Sequence, residues 1–214
     1  MALIVFDLDG TLIDSRRDLA DAANALIRER GGTVLAEETI GRMVGDGAAA
    51  LVRRALTAAG IPPDESSLPR FLELYDARLL RTTHLYSGIT EALHAVQRYG
   101  VLAVLTNKPL DHTRRLLAAL DLAQFFATVI GGDGPFPRKP DPQGLRHLMG
   151  VHRVPASRTV LVGDSHVDAA TAQAAGAAFC RARYGFGAGD PASAADVGVD
   201  APAALPSAIL TLLT

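Results

Sequence analysis

The order of the predicted elements constrains the fold of this chain more than any other feature. An apolar run at residues 2–6 predicts a strand, and residues 14–83 then show only helical periodicity, with no strand pattern. From residue 101 onward, strand and helix patterns alternate. One strand, an all-helical block and repeated β–α units together predict an α/β protein with a parallel sheet and an insertion after its first strand.

The remaining elements follow from the same patterns. Two helix starts carry capping patterns, one with Ser15 and Asp18, the other with Asp141 as cap and Pro142 as first helical residue. The Ala-, Pro- and Gly-rich stretch 185–206 is predicted to be mostly loop. A closing helix is predicted over residues 203–213, and the later strands over residues 101–105, 128–130, 159–162, 177–180 and 196–199.

Two carboxylates, Asp7 and Asp9, directly follow the first strand, with Gly10 next to them. Side chains alternate along an extended chain, so the two carboxylates can point to the same side. Two like charges held that close repel each other unless a cation lies between them or one carries a proton. The pattern indicates a divalent-metal site in which one carboxylate is a nucleophile. A solvated polar turn is the alternative that this motif leaves open on its own.

Polar residues also follow the next two predicted strands. Thr106 and Asn107 come after residues 101–105 and can donate hydrogen bonds to an oxyanion, although simple helix capping is the alternative. Lys139 lies in a proline-rich loop after residues 128–130. Prolines on both sides fix the backbone there, which a solvated surface lysine would not need. At that position its ammonium can neutralise phosphate and carboxylate charge.

Two more carboxylates, Asp164 and Asp168, follow the strand predicted over residues 159–162. If a helix begins near Ser165, Asp164 faces the strand ends and Asp168 lies about one turn further along. Both can then reach a metal ion, directly or through water. The alternative is a helix cap followed by an ordinary acidic residue in the first turn.

In this order, the four segments resemble the motifs of the haloacid dehalogenase superfamily of phosphohydrolases, over essentially the whole chain. Residues 44–47, 51–56, 106–109 and 129–133 are similar to segments of phosphoglycolate phosphatases, which related sugar-phosphate phosphatases share. The resemblance implies a Rossmann-like catalytic core, residues 1–13 and 84–214, with a helical cap, residues 14–83. The superfamily motifs are Asp7-Leu8-Asp9-Gly10-Thr11, Thr106-Asn107, Lys139-Pro140 and Gly163-Asp164-Ser165-His166-Val167-Asp168.

The resemblance also implies roles for these residues. Asp7 would attack phosphorus to form an aspartyl phosphate, and Asp9 would protonate the leaving alkoxide and later activate water. A Mg²⁺ ion would be held by the Asp7 carboxylate, the Asp9 backbone carbonyl and Asp164. Asp168 would hold Lys139 or a water of that ion.

Binding roles follow in the same way. The residues expected to bind the phosphoryl group are Gly10, Thr106, Asn107 and Lys139. In the cap, Gly45, Asp46 and Gly47 would form a specificity loop, with an ordinary turn between helices as the alternative.

The expected function is Mg²⁺-dependent hydrolysis of a small phosphorylated metabolite, with 2-phosphoglycolate first and another small or sugar phosphate as the alternative. A mutase of the β-phosphoglucomutase type uses the same aspartyl phosphate, so the motifs leave it open. Dehalogenation of haloacids uses an aspartate nucleophile without a metal and does not need Asp9, so the presence of both Asp7 and Asp9 argues against that reaction. A non-catalytic binding protein on this scaffold normally lacks a motif acid or the lysine, and this chain has all of them.

The amino-acid composition limits the possible domain organisation, partners and cellular compartment. The chain has 214 residues, 49% of them apolar, which is enough for one core with an inserted satellite. Its 21 Lys and Arg against 23 Asp and Glu show no basic excess for a nucleic-acid partner. No apolar run approaches the roughly 20 residues that span a bilayer. The single Cys180 allows no intramolecular disulfide, which is typical of a reducing compartment. We expect a cytoplasmic monomer or homodimer without a membrane partner.

Overall fold

The computed structural model describes residues 1–187 and 197–214. In chain order, the strands within these residues are β1 (Ala2–Phe6), β2 (Ile13–Asp14), β3 (His84–Leu85), β4 (Gly100–Leu105), β5 (Thr128–Ile130), β6 (Thr159–Gly163), β7 (Ala178–Ala182) and β8 (Val197–Val199). The helices are α1 (Arg16–Glu29), α2 (Glu37–Gly41), α3 (Ala48–Ala58), α4 (Ser67–Asp76), α5 (Ile89–Val96), α6 (Leu110–Ala119), α7 (Gln143–His152), α8 (His166–Ala175) and α9 (Leu205–Leu213).

Six strands form one parallel sheet in the order β5-β4-β1-β6-β7-β8. The first strand therefore lies in the middle, and its last residue, Phe6, pairs with Val104 on one side and Val162 on the other. The next strands of the sheet along the chain, β4 and β5, lie on one side of β1, and the later strands β6, β7 and β8 lie on the other side. The order thus reverses between β1 and β6, where parallel α/β sheets bind their ligands.

Both faces of β1 are buried, which explains its uninterrupted apolar sequence. Ile4 and Phe6 pack into an apolar cluster with residues of α5, α6 and α9. Leu3 and Val5 point to the opposite face, where they pack with residues of α7 and α8. The predicted parallel sheet is confirmed, and helices pack on both of its faces.

The four helices α1 to α4 have an apolar cluster of their own, which includes Leu26, Leu56 and Phe71. We refer to residues 14–83 as the helical insertion. Asp14, its first residue, and His84, the residue directly after it, pair in the short antiparallel ribbon β2–β3. The prediction that residues 14–83 contain no strand is therefore wrong at Asp14. The two segments that connect the insertion to the core satisfy their backbone hydrogen-bonding groups by pairing with each other. The predicted domain boundaries stay a prediction.

The two predicted helix starts differ in detail from the structure. α1 begins directly after Ser15, as predicted, but the Ser15 side chain makes no capping hydrogen bond, so only the capping part of that prediction is wrong. Asp18 instead accepts hydrogen bonds from Thr82 and Thr83, at the other end of the insertion. The second start is shifted by one residue, because Pro142 is the cap of α7 rather than its first residue.

The other predictions agree with the structure within a few residues. The strand predicted over residues 177–180 is β7, shifted toward Ala182, and the closing helix begins as a 3₁₀ turn over Pro202–Ala204 before α9. Residue 196 of the last predicted strand, and residues 188–196 of the predicted loop, lie outside the described residues. In the described part of the chain, no helix has the length and apolar character needed to cross a bilayer.

Candidate active site at the strand ends

The polar motifs meet at the carboxyl edge of the sheet. Asp7, Thr106 and Asp164 directly follow β1, β4 and β6, which are neighbours in the sheet, and Lys139 comes from the loop between β5 and α7. Asp168 reaches the same place from the first turn of α8. All five side chains belong to buried residues, none more than 6% exposed. Their interactions with one another are therefore poorly screened by water.

Lys139 is the cation at the centre of this group. Its Nζ lies 2.8 Å from Oδ1 of Asp7 and 2.6 Å from Oδ1 of Asp168. Burial by itself would lower the pKa of Lys139, but the charges of Asp168 and Asp7 outweigh it and raise that pKa well above the ordinary lysine value. Lys139 therefore stays protonated across the physiological range.

Three carboxylates lie close together at this site, and two of them, Asp7 and Asp168, contact that one ammonium. Asp7, Asp164 and Asp168 offer oxygen atoms that all lie within 4.8 Å of one another. Burial raises the pKa of Asp7 to about 6, although Lys139 acts in the opposite direction. Burial and the charge of Asp168 raise the pKa of Asp164 to about 8. One ammonium leaves part of this negative charge uncompensated, and oxygen donors suit a hard divalent cation such as Mg²⁺, so the site fits such an ion.

Asp164 is held in place by backbone groups. Its Oδ2 accepts hydrogen bonds from the N–H groups of Phe186, at 2.7 Å, and Gly187, at 3.0 Å. Gly10, with a φ of +83°, passes so close that a Cβ there would lie 2.3 Å from the same oxygen. The N–H of Gly10 donates to the carbonyl of Ile13, so the assignment of Gly10 to phosphate binding stays a prediction.

Asp9 has different partners from Asp7. Its carboxylate accepts a hydrogen bond from Oγ of Ser15 and lies 3.0 and 3.1 Å from Nζ of Lys108. Lys108 is a site residue that the sequence analysis missed. Its position directly after Asn107 was the available signal, but nothing local indicates that its side chain turns back toward Asp9, 99 residues away in the chain.

Asn107 connects three separate loops. Its Nδ2 donates to the carbonyls of Gly45 and Lys139, both at 2.9 Å, and its Oδ1 accepts from the N–H of Lys139 at 2.8 Å. The side-chain amide therefore joins the helical insertion to the core and fixes the backbone that carries Lys139. The expected phosphate contacts of Asn107 and Thr106 stay a prediction.

A pocket lies between the helical insertion and the strand ends. Its core side includes Asp7, Asp9, Thr106, Asn107 and Lys108. Of the predicted specificity loop, Gly45 and Gly47 line the pocket, whereas Asp46 forms an ion pair with Arg54 of α3 at 2.6 Å. Pro109 completes the core side, and the other side chains that line the pocket come from the insertion and are mostly apolar: Leu19, Val44, Ala48, Leu51, Phe71, Leu72 and Tyr75.

Comparison with known proteins identifies the family. The family model described as haloacid dehalogenase-like hydrolase matches residues 4–182. This chain belongs to that hydrolase family. A phosphoglycolate phosphatase of Cupriavidus necator is 39% identical over 214 residues, covering 97% of this chain and 92% of that protein. One of Pseudomonas savastanoi pv. phaseolicola is 40% identical over 196 residues, covering 88% of this chain and 72% of that protein.

Solved structures share the whole fold. A predicted phosphoglycolate phosphatase from Haemophilus somnus is 27% identical, with a TM-score of 0.85, and the match covers 100% of this chain and 98% of that one. CbbY from Rhodobacter sphaeroides, solved with phosphate, has a TM-score of 0.80 at 24% identity, with 96% of each chain covered. The expected α/β fold of a haloacid dehalogenase-like hydrolase is thus confirmed.

Proposed function

We propose that this hydrolase is a Mg²⁺-dependent phosphatase that converts 2-phosphoglycolate to glycolate and phosphate. The observation that supports it best is the separation of the first two acids. Asp7 contacts Lys139 within the carboxylate cluster, whereas Asp9 contacts Lys108 and Ser15. Two acidic groups in distinct environments can take the separate roles of nucleophile and general acid. The phosphoglycolate phosphatases among the relatives support the choice of substrate.

In the first half of the reaction, an oxygen of Asp7 attacks phosphorus. The new bond joins Asp7 to the phosphoryl group, and the bond between phosphorus and the glycolate oxygen breaks. Asp9 gives its proton to that oxygen, so that glycolate leaves as the alcohol. Lys139 lies 2.8 Å from Asp7, close enough to compensate the charge of the phosphoryl group as it is transferred.

In the second half, a water molecule attacks the phosphorus of the aspartyl phosphate. Asp9, now ionised, takes the proton from that water, and the bond between phosphorus and Asp7 breaks. Inorganic phosphate leaves and the Asp7 carboxylate is restored. Mg²⁺ held by Asp7, Asp164 and the Asp9 carbonyl would supply charge neutralisation between Asp7 and the phosphoryl group when it is bound.

The helical insertion acts in this proposal as a cap that covers the substrate and excludes water. Asn107 then has a positioning role, because it joins Gly45 of the cap to the loop of Lys139. The buried lone Cys180 supports a cytoplasmic location, and we expect a monomer or homodimer.

The experiment that tests this function measures phosphate release from 2-phosphoglycolate, 3-phosphoglycerate, glucose 6-phosphate and β-glucose 1-phosphate by the purified protein. We expect the highest kcat/KM for 2-phosphoglycolate, loss of activity with EDTA and recovery with Mg²⁺. Conversion of β-glucose 1-phosphate to its isomer without phosphate release would identify a mutase instead. Turnover that is indifferent to EDTA would contradict the metal, and a sugar phosphate preferred over 2-phosphoglycolate would contradict the substrate.

A further inference from the structure

Lys108 is a buried cation in the pocket with donor capacity to spare. Its side chain is only 4% exposed, and an ammonium group has three N–H donors. Within the described residues, its hydrogen-bond acceptors are the two oxygens of Asp9, and its Nζ lies 4.5 Å from the ring centre of Tyr75. The ammonium can therefore bind an anionic ligand in the pocket beside Asp9.

Tyr75, next to Lys108, supplies a second donor to the same pocket. It lines the pocket from α4 and is 2% exposed. Its hydroxyl is buried, yet it has no hydrogen-bond partner in the part of the chain that the structure describes. A buried hydroxyl without a partner is unfavourable, so this one is suited to donate to a ligand that enters the pocket.

The rest of the wall restricts what that ligand can be. The other residues that the insertion contributes to the pocket, among them Leu19, Leu51 and Phe71, carry no polar side-chain atoms. A sugar would bring several hydroxyl groups to this wall and find no partners for them. A short leaving group with one anionic end meets both donors and needs no others.

We propose that Lys108 and Tyr75 bind the carboxylate of the leaving group and so select phosphate esters of small hydroxy acids. This inference rests on the proposed phosphatase function and assigns its substrate specificity to two residues. Asp9 lies 3.0 Å from Lys108, so an ester oxygen beside Asp9 brings a carboxylate one carbon away to the ammonium. The Tyr75 hydroxyl then donates to that carboxylate from the insertion.

The test compares the binding of two phosphonates that cannot be hydrolysed, 3-phosphonopropionate and propylphosphonate, by titration calorimetry with Mg²⁺ present. They differ in the carboxylate, so the ratio of their dissociation constants measures its recognition without requiring Asp9 to react. We expect the wild-type protein to prefer 3-phosphonopropionate by at least about tenfold, the effect of hydrogen bonds to a charged group. Lys108→Gln should bring the ratio close to one, and Tyr75→Phe should lower it about three- to tenfold.

Tyr86→Phe is the matched control. Tyr86 also has a buried hydroxyl without a partner among the described residues, but it does not line this pocket. The Tyr86→Phe variant should therefore keep the wild-type ratio of the two dissociation constants. If Lys108→Gln impairs folding, as circular dichroism would show, Tyr75→Phe still decides the question, because it removes only the hydroxyl oxygen and keeps the ring that lines the pocket.

Failure of this inference is distinguishable from failure of the proposed function. If the enzyme hydrolyses 2-phosphoglycolate but both pocket variants keep the wild-type ratio, the carboxylate site is wrong and the phosphatase function stands. If the wild-type protein shows no preference and does not hydrolyse 2-phosphoglycolate, both are wrong. A ratio that falls in both pocket variants, but not in Tyr86→Phe, supports the site.

Discussion

The ammonium of Lys139 lies 2.6 Å from a carboxylate oxygen of Asp168, whose side chain is completely buried. The second oxygen of Asp168 accepts hydrogen bonds from the N–H and the hydroxyl of Ser165, the cap of α8. One carboxylate therefore fixes the start of a helix and holds the lysine that contacts Asp7.

Replacing Asp168 with Asn should affect both stability and activity. The change removes a charge that balances Lys139 and turns one hydrogen-bond acceptor into a donor, at a cost of about 2–3 kcal/mol in the free energy of unfolding. Urea denaturation measures that cost, and kcat should fall because Lys139 loses its support. Glu91→Gln, which changes an exposed first-turn acid of α5, is the control and should change neither. Equal stability of Asp168→Asn and wild type would contradict the structural role.

Asp7→Asn should abolish turnover without unfolding the protein. Loss of a nucleophile costs at least about four orders of magnitude in kcat. Stability should be equal or higher in EDTA at pH 8, because burial raises the pKa of Asp7 to about 6 and the ionised group is unfavourable there. Phosphate release and thermal melting measure the two effects. Turnover within tenfold of wild type would remove Asp7 from the nucleophilic role.

Asp9→Asn should discriminate between leaving groups. General acid catalysis contributes about 10²- to 10⁴-fold, so hydrolysis of 2-phosphoglycolate should fall by that factor. p-Nitrophenyl phosphate has a leaving group that needs no proton, and its hydrolysis should fall less. The measurement is kcat for both substrates with both proteins. Equal losses would argue that Asp9 only positions the site.

The placement of the site could be predicted from the sequence, because it depends on topology. Once residues 2–6, 101–105 and 159–162 are parallel neighbours, the residues that follow them must meet at one edge. The sheet order confirms this for Asp7, Thr106 and Asp164. The three strands could be recognised in the sequence because they are buried in the sheet and therefore almost entirely apolar.

The contacts of individual side chains could not be predicted in the same way. Ser15 and Asp18 have capping spacing, yet Ser15 donates to Asp9 and Asp18 accepts from Thr82 and Thr83. Local spacing describes a helix start in isolation, whereas these partners come into reach only when the insertion packs on the core. The role of Lys108 depends in the same way on a contact that no local pattern records.

Removal of Mg²⁺ should make stability depend on pH. The pKa values of Asp7 and Asp164, about 6 and about 8, lie above the ordinary value of 3.8. Between the ordinary value of 3.8 and its own raised pKa, each group binds more protons in the folded protein than in the unfolded chain. The free energy of unfolding therefore falls as pH rises through that window, by up to about 1.4 kcal/mol per pH unit for each group. The melting temperature in EDTA should therefore fall from pH 5 to pH 8. Mg²⁺ should raise it more at pH 8 than at pH 5, and an equal rise at both would contradict this charge balance.

Asp18→Asn should loosen the junction between the insertion and the core. Asp18 is 1% exposed, and its two oxygens accept from the N–H and hydroxyl groups of Thr82 and Thr83. An amide would put N–H donors against these donors, so we expect a loss of about 2–3 kcal/mol in the free energy of unfolding at pH 7. Asp21→Asn, an exposed acid on the same helix, should cost almost nothing.

The pH dependence of that loss follows from the pKa of Asp18. Burial would raise this pKa, but the hydrogen bonds from Thr82 and Thr83 outweigh burial and hold it below its ordinary value of 3.8. A carboxyl with a depressed pKa in the folded state stabilises the protein above its unfolded pKa and loses that effect as pH falls through the folded one. The difference between wild type and Asp18→Asn should thus be constant from pH 7 to about pH 4 and shrink below it. Urea denaturation at stepped pH measures this, and a difference that disappears already at pH 6 would show that Asp18 does not bind these groups as a carboxylate.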